Sequence, residues 1–356
     1  MSKWCFMGDC YHYTLELQRR DSSLLGQVPV KPDWEPALQC CLFTAIRSGR
    51  LPPVMEMDPY RILPVWDRQL GRPYVVGVRV VFLKNGRSER YSAEISTSYF
   101  REQAQRASSH YVENGSLNPG EVFWYRVSAF LQRPELPGEE AKTSNITVRE
   151  IARPLPLGKK SLKDLVSNSV FFGQAEPHEA DFPVFVPRQV LAELVSLTAD
   201  ADGANEIGGV LIGKLYRDTA SSEIMAEVTA QIGAEHTRSR IDRLTFTAET
   251  WTAARAAIDL RGDDELMVGW WHTHNFMKET CKGCNKSEEG NCPSPAFMSS
   301  HDVHFQRTAF SRPWNIALVI GDCPHSGVDY ALFGWRHGRV SPRPFHILDE
   351  SIPPAE

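Results

Sequence analysis

Residues 206–215 read EIGGVLIGKL. A short, continuous apolar run opened by a carboxylate predicts a buried strand with Glu206 at its mouth. The glycines in it allow a partner segment to approach closely. Further along, Met267–Trp271 is a short apolar strand that runs directly into His272-Thr273-His274. Residues i and i+2 of a strand point to the same side, so both imidazoles can reach one metal ion. Asp302, near the start of a helix predicted over Ser300–Phe310, is placed to be a third ligand. Two neutral imidazoles and a carboxylate suit zinc and leave a fourth position for water. A water held there can lose a proton near neutral pH. Glu206 then stands as a base that is not itself a ligand. The Ser299 hydroxyl, three residues before Asp302, can donate to an oxyanion.

The flanking sequence mixes strands and helices. Helices are predicted over Pro187–Leu197 and Ala248–Leu260, and strands over Ile224–Ile232, Ile316–Ile320 and Tyr330–Trp335. This implies an α/β (α+β) sandwich of a mostly antiparallel sheet with flanking helices. A smaller α+β domain precedes it. Tyr74–Leu83 alternates and is β-branched, Asn85-Gly86 favours a tight hairpin turn, and Ser88–Ile95 is the return strand. A helix follows over Ser98–Tyr111 with Ser98 as N-cap, then a strand over Glu121–Leu131. Residues 1–75 are rich in proline and aromatics without clear periodicity, and Trp34-Glu35-Pro36 and Pro52-Pro53 read as irregular, ordered structure. Residues 133–160 carry Pro134, Pro137, Pro154 and Pro156 among charges, a linker-like composition. The expected division is a first domain over 1–150, a linker over 151–160, a second domain over 161–347 and a tail over 348–356.

Glu206 with GGVLIGKL, GWWHTH at 269–274 and FMSSHD at 297–302 together resemble the JAMM/MPN zinc metallopeptidases, over roughly residues 183–340. Within that family the sequence looks most like the AMSH-type deubiquitinases. The resemblance implies that His272, His274 and Asp302 hold the catalytic zinc. It implies that Glu206 moves the water's proton to the leaving amine and that Ser299 steadies the oxyanion. The substrate implied is ubiquitin or a ubiquitin-like protein, cut after its C-terminal glycine, often at an isopeptide bond to lysine. A bacterial ubiquitin-like system with activating and conjugating enzymes as partners is one setting for such a peptidase. Two departures stand out. Asn275 follows the second histidine where the family has proline, and residues 275–298 separate His274 from Ser299 where the family has a far shorter spacer.

That insertion carries Cys281 and Cys284 at zinc-knuckle spacing, with Cys292 following. A second, structural zinc on these three thiolates needs one more ligand. His304 is the first choice, because the AMSH-like enzymes use a histidine at the matching position; Cys323, His325 and His301 are the alternatives. Lys278, Lys282 and Lys286 make the loop polar, so a metal would supply its order. The competing reading is three free thiols.

Composition excludes other classes. A chain of 356 residues exceeds what one core holds, roughly 250–300 residues, and points to two domains. The net charge of −5 gives no general attraction to nucleic acid or anionic lipid. No apolar run reaches the roughly 18 residues of a membrane span, and the N-terminus lacks the apolar core of a signal peptide. A cytoplasmic protein is expected, with cysteines buried or metal-bound rather than bridged. Cys40-Cys41 read as buried; His12 and His236 lack partners at ligand spacing; His325, His337 and His346 read as surface or solvent-bridged residues. Trp270 and Trp271 read as packing residues, one in the core and one at the zinc wall. Arg238, Arg240 and Arg243 read as a solvated basic patch. The alternatives to a ubiquitin-like-protein peptidase are a non-catalytic MPN-type scaffold and a hydrolase of sulfur carriers or small peptides.

Overall fold

The computed structural model describes residues 11–56, 59–84, 87–132, 154–173, 175–200, 206–234, 246–262, 264–274, 296–323 and 327–349. They fall into two compact units that divide between Pro154 and Leu155, with Arg47–Gly49 grouped with the second.

The first unit contains β1 (Tyr11–Arg19), β2 (Leu24–Val30), α1 (Glu35–Arg47), β3 (Tyr60–Trp66), β4 (Tyr74–Lys84), β5 (Ser88–Ser96), α2 (Arg101–Glu113) and β6 (Phe123–Leu131). Every strand pair in its sheet is antiparallel, in the order β2-β1-β6-β4-β3 with β5 also on β4. β4 and β5 form the expected hairpin, with Lys84 opposite Ser88; Asn85 and Gly86 lie outside the described residues. The expectation of irregular structure before Tyr74 is corrected. β1 turns Tyr13, Leu15 and Leu17 into the core, at 3 %, 0 % and 0 % exposure. Thr14, Glu16 and Gln18 intervene, so the alternation of a strand is present in the sequence, short and set among aromatics and prolines. Trp34-Glu35-Pro36 opens α1. Proline is tolerated in a first turn, where its missing N–H has no intrahelical partner. Helix α1 buries Ala37, Leu38, Cys41, Leu42 and Ala45, and Cys40 and Cys41 are both buried, as expected. Ser98 is not an N-cap: Thr97–Phe100 forms a 3-10 turn and α2 starts at Arg101. That turn delivers Tyr99 and Phe100 to an aromatic cluster in which Trp34 stacks on Tyr99 at 5.2 Å and Tyr13 meets Phe100 at 5.4 Å.

The second unit contains β7 (Leu157–Lys160), α3 (Leu162–Ser167), β8 (Ser169–Phe172), β9 (Val184–Pro187), α4 (Arg188–Asp200), β10 (Gly208–Asp218), β11 (Ile224–Gly233), α5 (Ala248–Arg261), β12 (Leu266–His274), α6 (Ser300–Ala309), β13 (Ile316–Cys323), β14 (Gly327–Arg336), β15 (Arg339–Arg343) and β16 (Phe345–Leu348). Its sheet runs β15-β14-β13-β12-β10-β11-β9-β16-β8, with β7 on β10. Antiparallel pairs alternate with parallel ones at β12/β13, β11/β9, β9/β16 and β10/β7, so this α+β unit has a mixed sheet. Leu157–Lys160, assigned to the linker by composition, is strand β7; pairing beside Leu215–Asp218 outweighs its weak local signal. Four-residue pieces such as β7, β8, β9 and β16 are too short to show a period.

β12 lies between β10 and β13 and is buried on both faces, with Val268, Trp270, Trp271 and His272 at 0–1 % exposure. Close strand approach explains two glycines. A Cβ on Gly209 or Gly269 would stand 2.1 Å from the carbonyl oxygen of Ile232 or Ile316 respectively. On the Trp270 face, Ala254 of α5 and Phe310 just after α6 join Val210, Phe246 and Ala317 in one apolar cluster, with Trp251 and Phe305 packed against it. That cluster seats α6 against β12.

Candidate metal centre

The site is built where β12 ends and α6 begins. Trp270, His272 and His274 alternate along β12 and share one face. The strand continues through His274: the backbone of His272 is paired to β10 and β13, and that of His274 to β13. Their Nε2 atoms are 3.1 Å apart. Asp302, in the first turn of α6, brings Oδ2 to 3.6 Å from His272 Nε2. One ligand atom from each of the three residues lies within 4.8 Å of the others. All three side chains are buried.

Glu206 stands just before β10. Ile207 next to it is pinned to β12: Thr273 N donates to the Ile207 carbonyl at 2.9 Å, and Ile207 N donates to Thr273 Oγ1 at 3.1 Å. This clamp brings Glu206 Oε1 to 4.0 Å from His274 Nε2, with the carboxylate buried. Thr273 was not singled out from the sequence, although its place between the two histidines is the signal for it.

Ser299 is the N-cap of α6. Asp302 N donates to Ser299 Oγ at 3.3 Å, and Ser299 N donates to Asp302 Oδ2 at 2.7 Å, a reciprocal capping box. The box fixes the Asp302 carboxylate rather than leaving it free to rotate. Burial works to raise the Asp302 pKa, but His272 and the Ser299 donors outweigh it and bring the group down to about 2. The carboxylate is therefore ionised at neutral pH, as a ligand must be.

The spacing suits a divalent ion. Ligand atoms about 2.0–2.1 Å from a tetrahedral centre stand about 3.3–3.4 Å from one another, between the 3.1 Å and 3.6 Å found here.

The remaining residues expected at metal sites are less informative. Cys281, Cys284 and Cys292 lie outside the described residues, as do His325, His236, Asn275 and the three arginines of the basic patch. His304 is exposed on α6, about 200° round the helix from Asp302. His301 is also exposed, and the side chain of Cys323 is not described. Trp270 and Trp271 are both buried, and it is Trp270 that stacks on His272. His346, expected to be a surface or solvent-bridged residue, is half-buried and packs against Phe185 and Phe171.

Neither a family model nor a curated protein matches the chain. Among solved structures it is similar to protein DSY2949 from Desulfitobacterium hafniense, at 19 % identity over 45 % of this chain and 89 % of that one, with a TM-score of 0.31. A likeness of that degree carries no argument, and the functional reading rests on the site itself. No helix among the described residues is long and apolar enough to cross a membrane.

Proposed function

We propose that the second unit is a zinc peptidase of the JAMM/MPN type, with an MPN-like sandwich as its frame. It would release or mature ubiquitin or a ubiquitin-like modifier by hydrolysis after the modifier's C-terminal glycine. The observation that carries this reading is the convergence of His272, His274 and Asp302 with Glu206 beside them. These residues and their order are the ones the sequence resemblance implies.

His272, His274 and Asp302 would hold the ion. Zinc, when bound, supplies Lewis acidity toward a carbonyl and lowers the pKa of a water. Glu206 takes the water's proton on its carboxylate and delivers it to the leaving amine. Its burial keeps bulk water from competing for that proton, and the Thr273 clamp limits its travel. The Ser299 hydroxyl, held beside Asp302 at the start of α6, would turn its proton from the Asp302 carboxylate to the oxyanion. A structural zinc on Cys281, Cys284, Cys292 and His304 belongs to the same proposal, and Cys281→Ser should remove one zinc per chain. Activating and conjugating enzymes of the same modifier are the partners this reading implies.

The test is a fusion of a ubiquitin-like protein to a reporter. The wild type should cut it after the terminal glycine, a chelator should stop the reaction, and Glu206→Ala should slow it by roughly 10²–10⁴-fold. A Glu206→Ala protein with the full rate would remove Glu206 from the role of base.

A further inference from the structure

A metal-bound histidine ordinarily has its ring fixed by a hydrogen bond from the nitrogen that does not bind the ion. His272 lacks this support: its Nδ1 is buried without a hydrogen-bond partner among the described residues. Something else must hold the ring. Trp270 lies flat against it, with ring centroids 4.6 Å apart and planes 11° from parallel. Trp270 is held in turn: its Nε1 donates to Gln306 Oε1 at 2.6 Å.

Gln306 is fully buried, and both ends of its amide are engaged. Its Nε2 donates to the carbonyls of Phe310 and Asn315, each at 3.2 Å. Asn315 Nδ2 donates to the Met267 carbonyl on β12 at 2.9 Å, which closes the circuit back onto the strand that carries the histidines.

Gln306 follows Asp302 by four residues on α6, and Trp270 precedes His272 by two on β12. Four residues of helix advance about 6 Å. Two residues of strand advance about 6.6 Å. The two elements therefore meet as two matching rungs, His272 with Asp302 and Trp270 with Gln306. Sliding α6 along β12 would disturb both rungs together, so the hydrogen bond of the second resists a shift in the first. We infer that the Trp270–Gln306 hydrogen bond is the positioning device of the metal centre, setting the ring plane of His272 and its separation from Asp302. Both are positioning residues: neither offers an atom to the ion. The inference rests on the metal-centre reading above.

Cobalt titration of the full chain tests it, in a Cys281→Ser/Cys284→Ser background that keeps thiolate-bound cobalt out of the visible spectrum. Trp270→Phe retains a ring beside His272 but removes the donor, and Gln306→Leu removes the acceptor. Each should weaken cobalt binding by roughly 10–100-fold and change the shape of the visible bands. The double variant Trp270→Phe/Gln306→Leu leaves no stranded donor on Trp270, so it should recover thermal stability relative to Gln306→Leu without recovering cobalt affinity. Met225→Ala, in the separate Phe185–Leu348 cluster, should lower the melting temperature and leave cobalt binding unchanged. Trp270→Phe with wild-type affinity and spectrum overturns the inference alone. A wild type that binds no cobalt in this background overturns the metal-centre reading and the inference with it.

Discussion

Both units bury carboxylates, and Glu16 of the first is treated differently from Asp302 and Glu206 of the second. Glu16 in the first unit is 8 % exposed and accepts hydrogen bonds from Gln18, Gln27 and the Tyr74 hydroxyl. Its needs are met by neutral donors of the same sheet, so it is complete as it stands. Around Asp302 and Glu206 the neighbours are imidazole nitrogens, and the two histidine Nε2 atoms face each other at 3.1 Å. Burying polar atoms against one another costs free energy unless something pairs with them. Burial of a carboxylate alone therefore says little about function. What marks the second unit is the convergence of two imidazoles and a carboxylate, whose ligand atoms lie within 4.8 Å of one another.

The largest expected effect separates the two places by metal. A divalent ion at 100 times its Kd should raise the unfolding free energy by about 2.7 kcal/mol. In the Cys281→Ser/Cys284→Ser background, His274→Ala should abolish that gain, whereas Glu16→Leu should keep it; thermal unfolding with and without zinc reads both. Next comes chemistry without loss of metal. Glu206→Gln should retain the ion and lose roughly 10²–10⁴ in rate, because a neutral amide cannot take a proton. An equal loss of ion and rate would make Glu206 a ligand instead. Glu16→Leu should cost about 1–3 kcal/mol of stability by stranding its donors, measured by urea unfolding, and leave zinc binding untouched. The smallest change is at the surface. Arg255→Ala removes an exposed ion pair with Asp259 one turn away on α5 and should cost no more than about 0.5 kcal/mol.

Much of the second unit was legible in the sequence because its central strands are long and apolar. β10, β11 and β12 announce themselves by composition, and His-x-His at a strand end already places two imidazoles on one side. The carboxylate partners were legible as well, since Asp302 opens a helix and Glu206 precedes a strand. What was not legible depends on contacts between elements. The clamp of Thr273 on Ile207 and the bond from Trp270 to Gln306 link positions far apart in the chain, and neither residue type signals such a role. Ser299 was read as an oxyanion donor, and its capping of α6 emerged only with the helix start. In the first unit, the alternation of Tyr13, Leu15 and Leu17 with Thr14, Glu16 and Gln18 was a strand signal, set within a stretch whose aromatics and prolines mask it, and Pro36 resembles a breaker at the start of α1. Tertiary pairing decided both.

The central claim is that His272, His274 and Asp302 share one divalent ion. Anomalous scattering from crystals grown with zinc tests it most directly. The account predicts a zinc peak about 2.0–2.2 Å from both histidine Nε2 atoms and from an Asp302 carboxylate oxygen. Zinc-saturated crystals with no peak among those three side chains would contradict it.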